Sequence, residues 1–117
     1  MKNYLAVFTG NPNAMAEWEK LSEAERNSRQ AAGMKGWHDW AQKHQKDIVQ
    51  MGGPLSRTKL VDKSGIRDIR NNLGAFTVVQ AESQQAAAEM FVGHPHFMLF
   101  PGEGVEVMEV MPIPGMP

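Results

Sequence analysis

The stretch that decides the fold is residues 74–97, GAFTVVQAESQQAAAEMFVGHPHF. In its first part Phe76 and Val78 point to one side and Thr77 and Val79 to the other, an alternation that predicts a β-strand. Both sides are largely apolar, which is typical of a strand inside a sheet. We therefore place the rest of the chain by its pairing with this strand or its packing on it.

A short helix is predicted to follow this strand. Ser83 has the residue type of a helix N-cap, and the apolar side of the helix is formed by Ala86, Ala87, Met90 and Phe91. Gly93 stands where a left-handed residue usually ends a helix, and Pro95 follows it. The predicted stop therefore holds two histidines, His94 and His96, on either side of a proline.

Three further strands are expected outside this stretch. Residues 3–9, NYLAVFT, are apolar on both sides and predict a central strand, whereas residues 56–62, SRTKLVD, predict a polar edge strand. Residues 63–73 would connect that edge strand to the central one. Residues 105–111, VEVMEVM, predict the last strand, and the proline-rich tail, residues 112–117, cannot extend it.

A long helix is predicted before the edge strand. Ser22 and Glu25 have the spacing of a capping box, and Gly52-Gly53-Pro54 would turn the chain after the helix ends near Gln50. Its apolar stripe is expected to consist of Met34, Trp37, Ala41, His44 and Ile48. Gly33 and Gly36 interrupt this pattern, so we expect a kink, a break into two helices or a close approach by another backbone.

The composition limits the classes of function. The 117 residues, 42% of them hydrophobic, fit one globular domain over residues 1–117. A net charge of −1 offers no basic field to a nucleic acid, and no segment resembles a membrane span. Cysteine is absent, which excludes disulfides and thiol chemistry. We expect a cytoplasmic protein that binds neither nucleic acid nor membrane.

The predicted order of elements is β-α-β-β-α-β, class α+β. Two right-handed crossovers then give a four-stranded antiparallel sheet with both helices on one face, the ferredoxin-like arrangement. The other face would be bare, although three of its strands carry apolar residues there. A second copy packed sheet against sheet is the simplest cover, so we expect a homodimer.

Several short motifs carry a family resemblance. They are Gly52-Gly53-Pro54-Leu55, then Gly74-Ala75-Phe76 leading into Ala81-Glu82-Ser83, then Gly93-His94-Pro95, then Val105-Glu106-Val107. With these motifs the chain resembles the YCII-related family of the dimeric α/β-barrel superfamily over most of its length. The resemblance implies a ferredoxin-like subunit and a barrel-shaped dimer.

The resemblance also bears on the site. A His–Asp pair has been suggested as a catalytic dyad in some members of the family, whose activities are largely uncharacterised. His38 is the nearest match to the family histidine, and His94 stands where the aspartate would fall. The Asp-Gly-Pro-Phe signature of a sister branch is missing here. The dyad is therefore not reproduced as such.

The histidines and their aromatic neighbours are the candidate site residues. His94 and His96 would be held in fixed directions beside the sheet, and imidazole can act as acid, base or ligand near neutral pH. On the long helix, Trp37, Trp40 and His44 would line any cavity above the sheet. The alternative is structural: the histidines end helices, and the tryptophans are core anchors. His94 and His96 form a weak pair without a third ligand, so we expect no metal site.

Two hypotheses from different classes follow. In the first, a dimeric protein binds a small organic ligand between sheet and helices and acts on it by acid–base chemistry without a cofactor. His94, His44 or His38 would transfer the proton, and the ligand would lie against Trp37, Trp40, His96 and Phe97. In the second, the protein is a non-catalytic dimeric binding or accessory module. The sequence does not decide whether the protein is an enzyme.

Overall fold

The computed structural model describes residues 1–116. The elements in chain order are β1 (Lys2–Gly10), α1 (Pro12–Glu19), α2 (Glu23–Lys43), β2 (Ile48–Pro54), β3 (Thr58–Asp62), β4 (Gly65–Ile69), β5 (Leu73–Ala81), α3 (Gln84–Glu89), α4 (Pro95–Met98) and β6 (Gly102–Glu109). The class is α+β, as predicted. Pro117, the last residue of the predicted tail, lies outside the described residues.

The main sheet has four antiparallel strands in the order β2-β5-β1-β6. The prediction that β1 is central is confirmed, since it pairs with β5 on one side and β6 on the other. Alternate residues of these strands face the helices and are buried there: Tyr4, Ala6, Phe8, Thr77 and Val79. The core of the subunit therefore lies between this face and the helices.

Helix α2 is a single element of 21 residues. Its predicted cap is confirmed, because the Ser22 hydroxyl accepts the backbone N–H of Glu25 at 3.1 Å. Gly33 and Gly36 lie against the side-chain rings of Phe100 and Pro95, not against another backbone as was considered. A side chain at Gly33 would collide with the Phe100 ring, and the Pro95 ring lies 3.0 Å from where a Cβ would stand on Gly36. The helix is thus unbroken where a break was considered.

The buried stripe of α2 agrees with the predicted one in part. Trp37 and Ala41 pack against the core as predicted, whereas Met34 is 65% exposed. Gly33 and Trp40, which were not in the predicted stripe, are the buried residues of the helix. Among residues 1–116, no helix is both long enough and apolar enough to cross a membrane.

The prediction of the second sheet strand is wrong. Helix α2 ends at Lys43, well before Gln50, and the edge strand is β2, which contains the Gly52-Gly53-Pro54 motif expected to be a turn. Gly52 has φ +68°, and a Cβ there would collide with the Phe76 carbonyl. Glycine thus lets this irregular strand run close to β5, and an edge position tolerates the proline.

The predicted edge strand belongs instead to a hairpin. Strand β3 pairs with β4 in a separate two-stranded sheet, from Thr58 opposite Ile69 to Asp62 opposite Gly65. The segment expected to be a connection thus contains β4. Its tight turn is stabilised by the Ser64 N–H, which donates to the Asp62 carboxylate at 2.9 Å. Val61 and Ile66 face each other near the turn, 71% and 69% exposed.

Asparagine and serine begin two of the helices that flank the sheet. Asn11 caps α1, because its side chain accepts the Asn13 N–H at 2.8 Å. Ser83 caps α3 and Gly93 has φ +71°, both as predicted. Helix α4, which begins at Pro95 directly after the predicted stop, was not predicted. It packs against α2 and β6 and completes the helical layer.

The Gly33–Phe100 contact makes a testable prediction about stability. Gly33→Val would push the Phe100 ring away from its place beside Trp18, where the ring centroids are 6.4 Å apart. We expect the free energy of unfolding, measured in urea, to fall by about 1–3 kcal/mol. Ala32→Val, at the exposed neighbouring position, is the control for placing a β-branched residue in this turn of the helix. An equal loss in both variants would contradict the packing role of Gly33.

Candidate functional site

His94 is held in place by the chain that surrounds it. Gly93 turns the backbone in the left-handed region, and Pro95 occupies the first turn of α4. The Nδ1 atom of His94 accepts the backbone N–H of His96 at 3.0 Å, so the histidine caps the helix with its ring. The imidazole therefore has one orientation, fixed by the same turn that starts α4.

Aromatic rings enclose His94 on several sides. Its ring centroid lies 4.3 Å from that of Trp37, 5.0 Å from Trp40 and 5.1 Å from Phe8. Phe91 lies 6.0 Å away, and the His94 side chain is only 1% exposed. We call these five residues the aromatic cluster: Phe8, Trp37, Trp40, Phe91 and His94. The Trp40 Nε1–H donates to the Met90 carbonyl at 2.7 Å, which satisfies the polar atom of that ring.

The surroundings keep His94 neutral. Burial lowers its pKa from 6.5 to about 4, with smaller contributions from the charges of His96 and His44. Because Nδ1 accepts a hydrogen bond from the backbone, the single ring proton resides on Nε2. That Nε2 atom is buried and has no hydrogen-bond partner among residues 1–116. The Nε2–H of His94 is thus a hydrogen-bond donor inside an apolar cluster, and the lone pair of Nδ1 is already used in the bond to His96.

His96 has the opposite hydrogen-bonding pattern. Its Nε2 lies 2.8 Å from the Thr9 carbonyl oxygen, which can only accept, so Nε2 carries the proton. In the neutral ring Nδ1 is then the proton acceptor. Gly102 packs directly against the His96 ring, where a Cβ would collide with it. His96 is therefore fixed by contacts on both sides, and it packs edge-on against Phe8 at 5.2 Å.

His96 also borders a cleft of about 400 Å³, which we call the His96 cleft. Its walls come from the end of β1, the starts of β5 and β6, and helix α1. They are mostly apolar, and three asparagines are among the lining residues. The lining residues are Gly10, Asn11, Pro12, Met15, Asn71, Asn72, Leu73, Gly74, His96, Phe100, Pro101 and Gly102.

The other residues singled out in the sequence lie elsewhere. His44 is the C-cap of α2 and packs against Trp40 at 5.2 Å, at the margin of the aromatic cluster. Its pKa is lowered by burial and by the charge of Lys43, against the opposing effect of Asp47. His38 is exposed on α2, and its neighbour Asp39 pairs with Lys35 at 3.1 Å. Phe97 lines a separate cleft of about 250 Å³.

The structure thus brings together some of these residues and separates others. His94, Trp37 and Trp40 share the aromatic cluster with His44 beside it, whereas His96 faces its own cleft. Sequence reasoning missed Phe8, Phe100 and Met15. The position of Phe8 was predictable, because it shares one face of β1 with Tyr4 and Ala6. No pattern in the sequence predicted that α1 would line the His96 cleft. No cluster of three metal-binding side chains occurs within residues 1–116.

A known structure with a similar fold is that of 5-chloro-2-hydroxyhydroquinone dehydrochlorinase (TftG) from Burkholderia phenoliruptrix AC1100, in complex with 2,5-dihydroxybenzoquinone. It matches this chain with a TM-score of 0.53 and 16% sequence identity, and the match covers 93% of each chain. At this identity the similarity concerns the fold alone. No family model matches the sequence, and no curated protein matches it.

The buried neutral His94 makes a testable prediction about pH. Its pKa is lower in the folded than in the unfolded state, so the unfolded chain binds the extra proton first as pH falls. The stability linked to His94 is complete above about pH 6.5 and is lost as pH falls towards 4, by up to about 3 kcal/mol. His94→Asn keeps a cap acceptor but cannot titrate, so this component of the pH dependence should disappear in urea unfolding between pH 4 and 7.

The exposed His38 supplies the control for this experiment. In His38→Asn, at an exposed position of α2, the loss of stability linked to the buried His94 should remain. Carboxylates titrate in every variant, so the informative quantity is the difference from the unmodified protein. Parallel curves for His94→Asn and the unmodified protein would show that burial does not lower the pKa of His94.

Proposed function

We propose that the protein binds a small organic ligand in the His96 cleft and that His96 transfers a proton to or from it without a cofactor. The observation that carries this proposal is the hydrogen bond from His96 Nε2 to the Thr9 carbonyl, which leaves Nδ1 as a base beside a mostly apolar cleft. A histidine whose tautomer is fixed by a backbone carbonyl is a common arrangement for acid–base chemistry.

The other histidines support this role less well. His94 is enclosed, neutral and already hydrogen-bonded at Nδ1, so it acts as a positioning residue that holds the backbone of His96. His44 lies at the margin of the aromatic cluster, and His38 faces solvent. Trp37 and Trp40 then form the packing behind His96, and Phe97 lies on the far side of α4. The sequence-based assignment of proton transfer to His94, His44 or His38 thus gives way to His96 in this proposal.

The fold adds a proposal about family and assembly. The strand order β2-β5-β1-β6, with α2 between β1 and β2 and α3 and α4 between β5 and β6, supports a single ferredoxin-like domain of the YCII-related type. A small ligand is also bound by TftG, whose fold is related. Asp39 pairs with Lys35 on the exposed side of α2, so this chain would work without the His–Asp dyad suggested for that family. A cytoplasmic location stays a prediction.

The open face of the sheet supports a homodimer. Leu5 lies opposite both Val78 and Met108, and Val7 lies opposite Phe76, on the side away from the helices. These five apolar side chains form one continuous patch, and none of them is buried in the single subunit. A patch of this kind is usually covered, and a twofold copy covers it with the same residues. The ligand-binding protein would then be a dimeric α/β barrel.

The enclosed aromatic cluster favours a second candidate function. No cleft described above contains both His94 and His96, so the cluster has the character of a packed core. On that reading the protein is a non-catalytic dimeric binding or accessory module. The two candidates differ at His96. A binding module keeps its partner when His96 is replaced by glutamine, whereas the proton-transfer protein loses turnover.

The His96 cleft can be tested with 2,5-dihydroxybenzoquinone, the ligand of the TftG complex, as the probe. In a ¹⁵N NMR titration we expect the amide signals of Gly10, Leu73 and Gly102 to shift, since these residues line the cleft. His96→Gln should weaken binding by about tenfold, because the basic imidazole nitrogen is replaced by a non-basic amide. The matched control, His38→Gln on the exposed side of α2, should bind like the unmodified protein. Equal binding by both variants would contradict the role of His96.

The proposed dimer can be tested by light scattering. At micromolar concentration the unmodified protein should have twice the mass of the single chain. Val78→Asp places a charge at the centre of the apolar patch and should give monomers, because the carboxylate would be desolvated in the interface. Val61→Asp, on the exposed hairpin, is the control and should stay dimeric. A monomeric unmodified protein would disprove the assembly.

A further inference from the structure

A larger cleft, of about 1030 Å³, lies at the base of the β3–β4 hairpin. It is separate from the aromatic cluster and contains no histidine. Its lining is rich in cationic and hydroxyl-bearing or amide side chains: Leu55, Ser56, Arg57, Thr58, Lys59, Asp68, Ile69, Arg70, Asn71 and Leu73. We call it the basic cleft, since it has three cationic side chains and a single carboxylate.

The hairpin register brings two arginines to the same end of the cleft. The last pair of the ladder is Thr58 opposite Ile69, and Arg57 and Arg70 are the next residues on either side. Side chains of opposed residues share a face, and residues two apart along a strand share it as well. Arg57 and Arg70 stand just outside the paired strands, and both line the cleft together with the Lys59–Asp68 pair. Two positive charges in one cleft repel each other, and an anion between them relieves the repulsion.

The two arginines also lack a partner within the chain. The Lys59 Nζ pairs with the Asp68 carboxylate at 2.7 Å, and Arg67, on the other face, pairs with Asp62 at 2.7 Å. Within residues 1–116, Arg57 and Arg70 take part in no ion pair or side-chain hydrogen bond. The one carboxylate of the cleft is thus already neutralised, and two positive charges remain.

The two guanidinium groups are the donors of this site. Thr58 lies between Arg57 and Lys59 in sequence, so its side chain is on the other face of the hairpin, where its hydroxyl oxygen accepts the Asn71 Nδ2–H at 3.1 Å. A guanidinium offers two parallel N–H groups to a carboxylate or phosphate, a geometry that a lysine does not provide. The cleft therefore has the donors for an oxyanion.

We infer that the basic cleft binds the carboxylate or phosphate group of a small organic molecule between Arg57 and Arg70. The charge of the whole chain, −1, and the small size of the basic region do not suit a nucleic-acid backbone. The oxyanion accepts hydrogen bonds from both guanidinium groups. It relieves the repulsion between the two arginines at the same time.

This inference deepens the function proposed above, and only its link to catalysis rests on it. Asn71 and Leu73 line both the basic cleft and the His96 cleft, so the two are neighbours. A ligand with an anionic end in the basic cleft would have its uncharged part next to the His96 cleft. The ligand class is then a small apolar molecule that carries one carboxylate or phosphate.

The experiment follows the arginine Nε–H signals in ¹⁵N NMR spectra at low ionic strength. The probes are benzoate, inorganic phosphate and benzamide, the neutral counterpart of benzoate. We expect benzoate or phosphate to shift the Arg57 and Arg70 signals saturably, whereas benzamide leaves them in place. Stronger binding of benzoate assigns a carboxylate ligand, and stronger binding of phosphate assigns a phosphorylated one. Added salt should weaken both, since the charges are partly exposed.

Variants decide whether the site is specific. The double variant Arg57→Gln, Arg70→Gln should weaken anion binding at least about tenfold, because both charge-assisted contacts are lost. The matched control, Arg67→Gln, removes the same charge from the other face of the hairpin and should change binding less than about twofold. Arg57→Lys retains the charge and the folded hairpin and should give an intermediate affinity.

Two results would overturn the inference. One is the absence of saturable shifts up to tens of millimolar anion, and the other is equal weakening in the double variant and in Arg67→Gln. His96→Gln separates this inference from the proposed catalytic role, since it should leave the anion-induced shifts unchanged. Anion binding that survives while the His96 cleft binds no probe would disprove the proposed function alone.

Discussion

The hydrogen bond from the His96 backbone N–H to His94 Nδ1 is the constraint on which the site depends. It caps α4, fixes the tautomer of His94 and determines where the His96 ring lies. The bond uses the Nδ1 lone pair of His94, so the two histidines have different roles. His94 becomes a buried structural ring, and His96, held by the Thr9 carbonyl, keeps a basic nitrogen.

Phe8 connects this turn to the sheet. Its ring contacts His94 at 5.1 Å, His96 at 5.2 Å and Trp37 at 4.8 Å between centroids, so one residue of β1 meets α2 and the α4 turn together. The glycines of α2 also help to position the helices, since the Pro95 ring packs against Gly36 and the Phe100 ring against Gly33. The rings fit there because glycine has no side chain.

Local chemistry made most of the fold predictable. The alternation in β1 and β5 and the caps at Ser22 and Ser83 are short-range signals, and the structure has them where they were expected. The error at β2 arose because Gly52-Gly53-Pro54 has the composition of a turn, whereas its actual role depends on the distant Phe76 backbone. The site was predictable in part: the sequence indicated the histidines, but the contact of His96 with Thr9 joins residues 87 positions apart.

The hairpin of β3 and β4 has a consequence for how the chain can vary. Its strands bond to each other and not to the main sheet, and its apolar residues near the turn face solvent. A two-stranded ribbon of this kind opens at far lower free energy than the strands of a core. Changes of length or sequence at the tip of the hairpin should therefore have little effect on the stability of the core. The same independence lets the sequence of the hairpin change while the core around Phe8 stays constant.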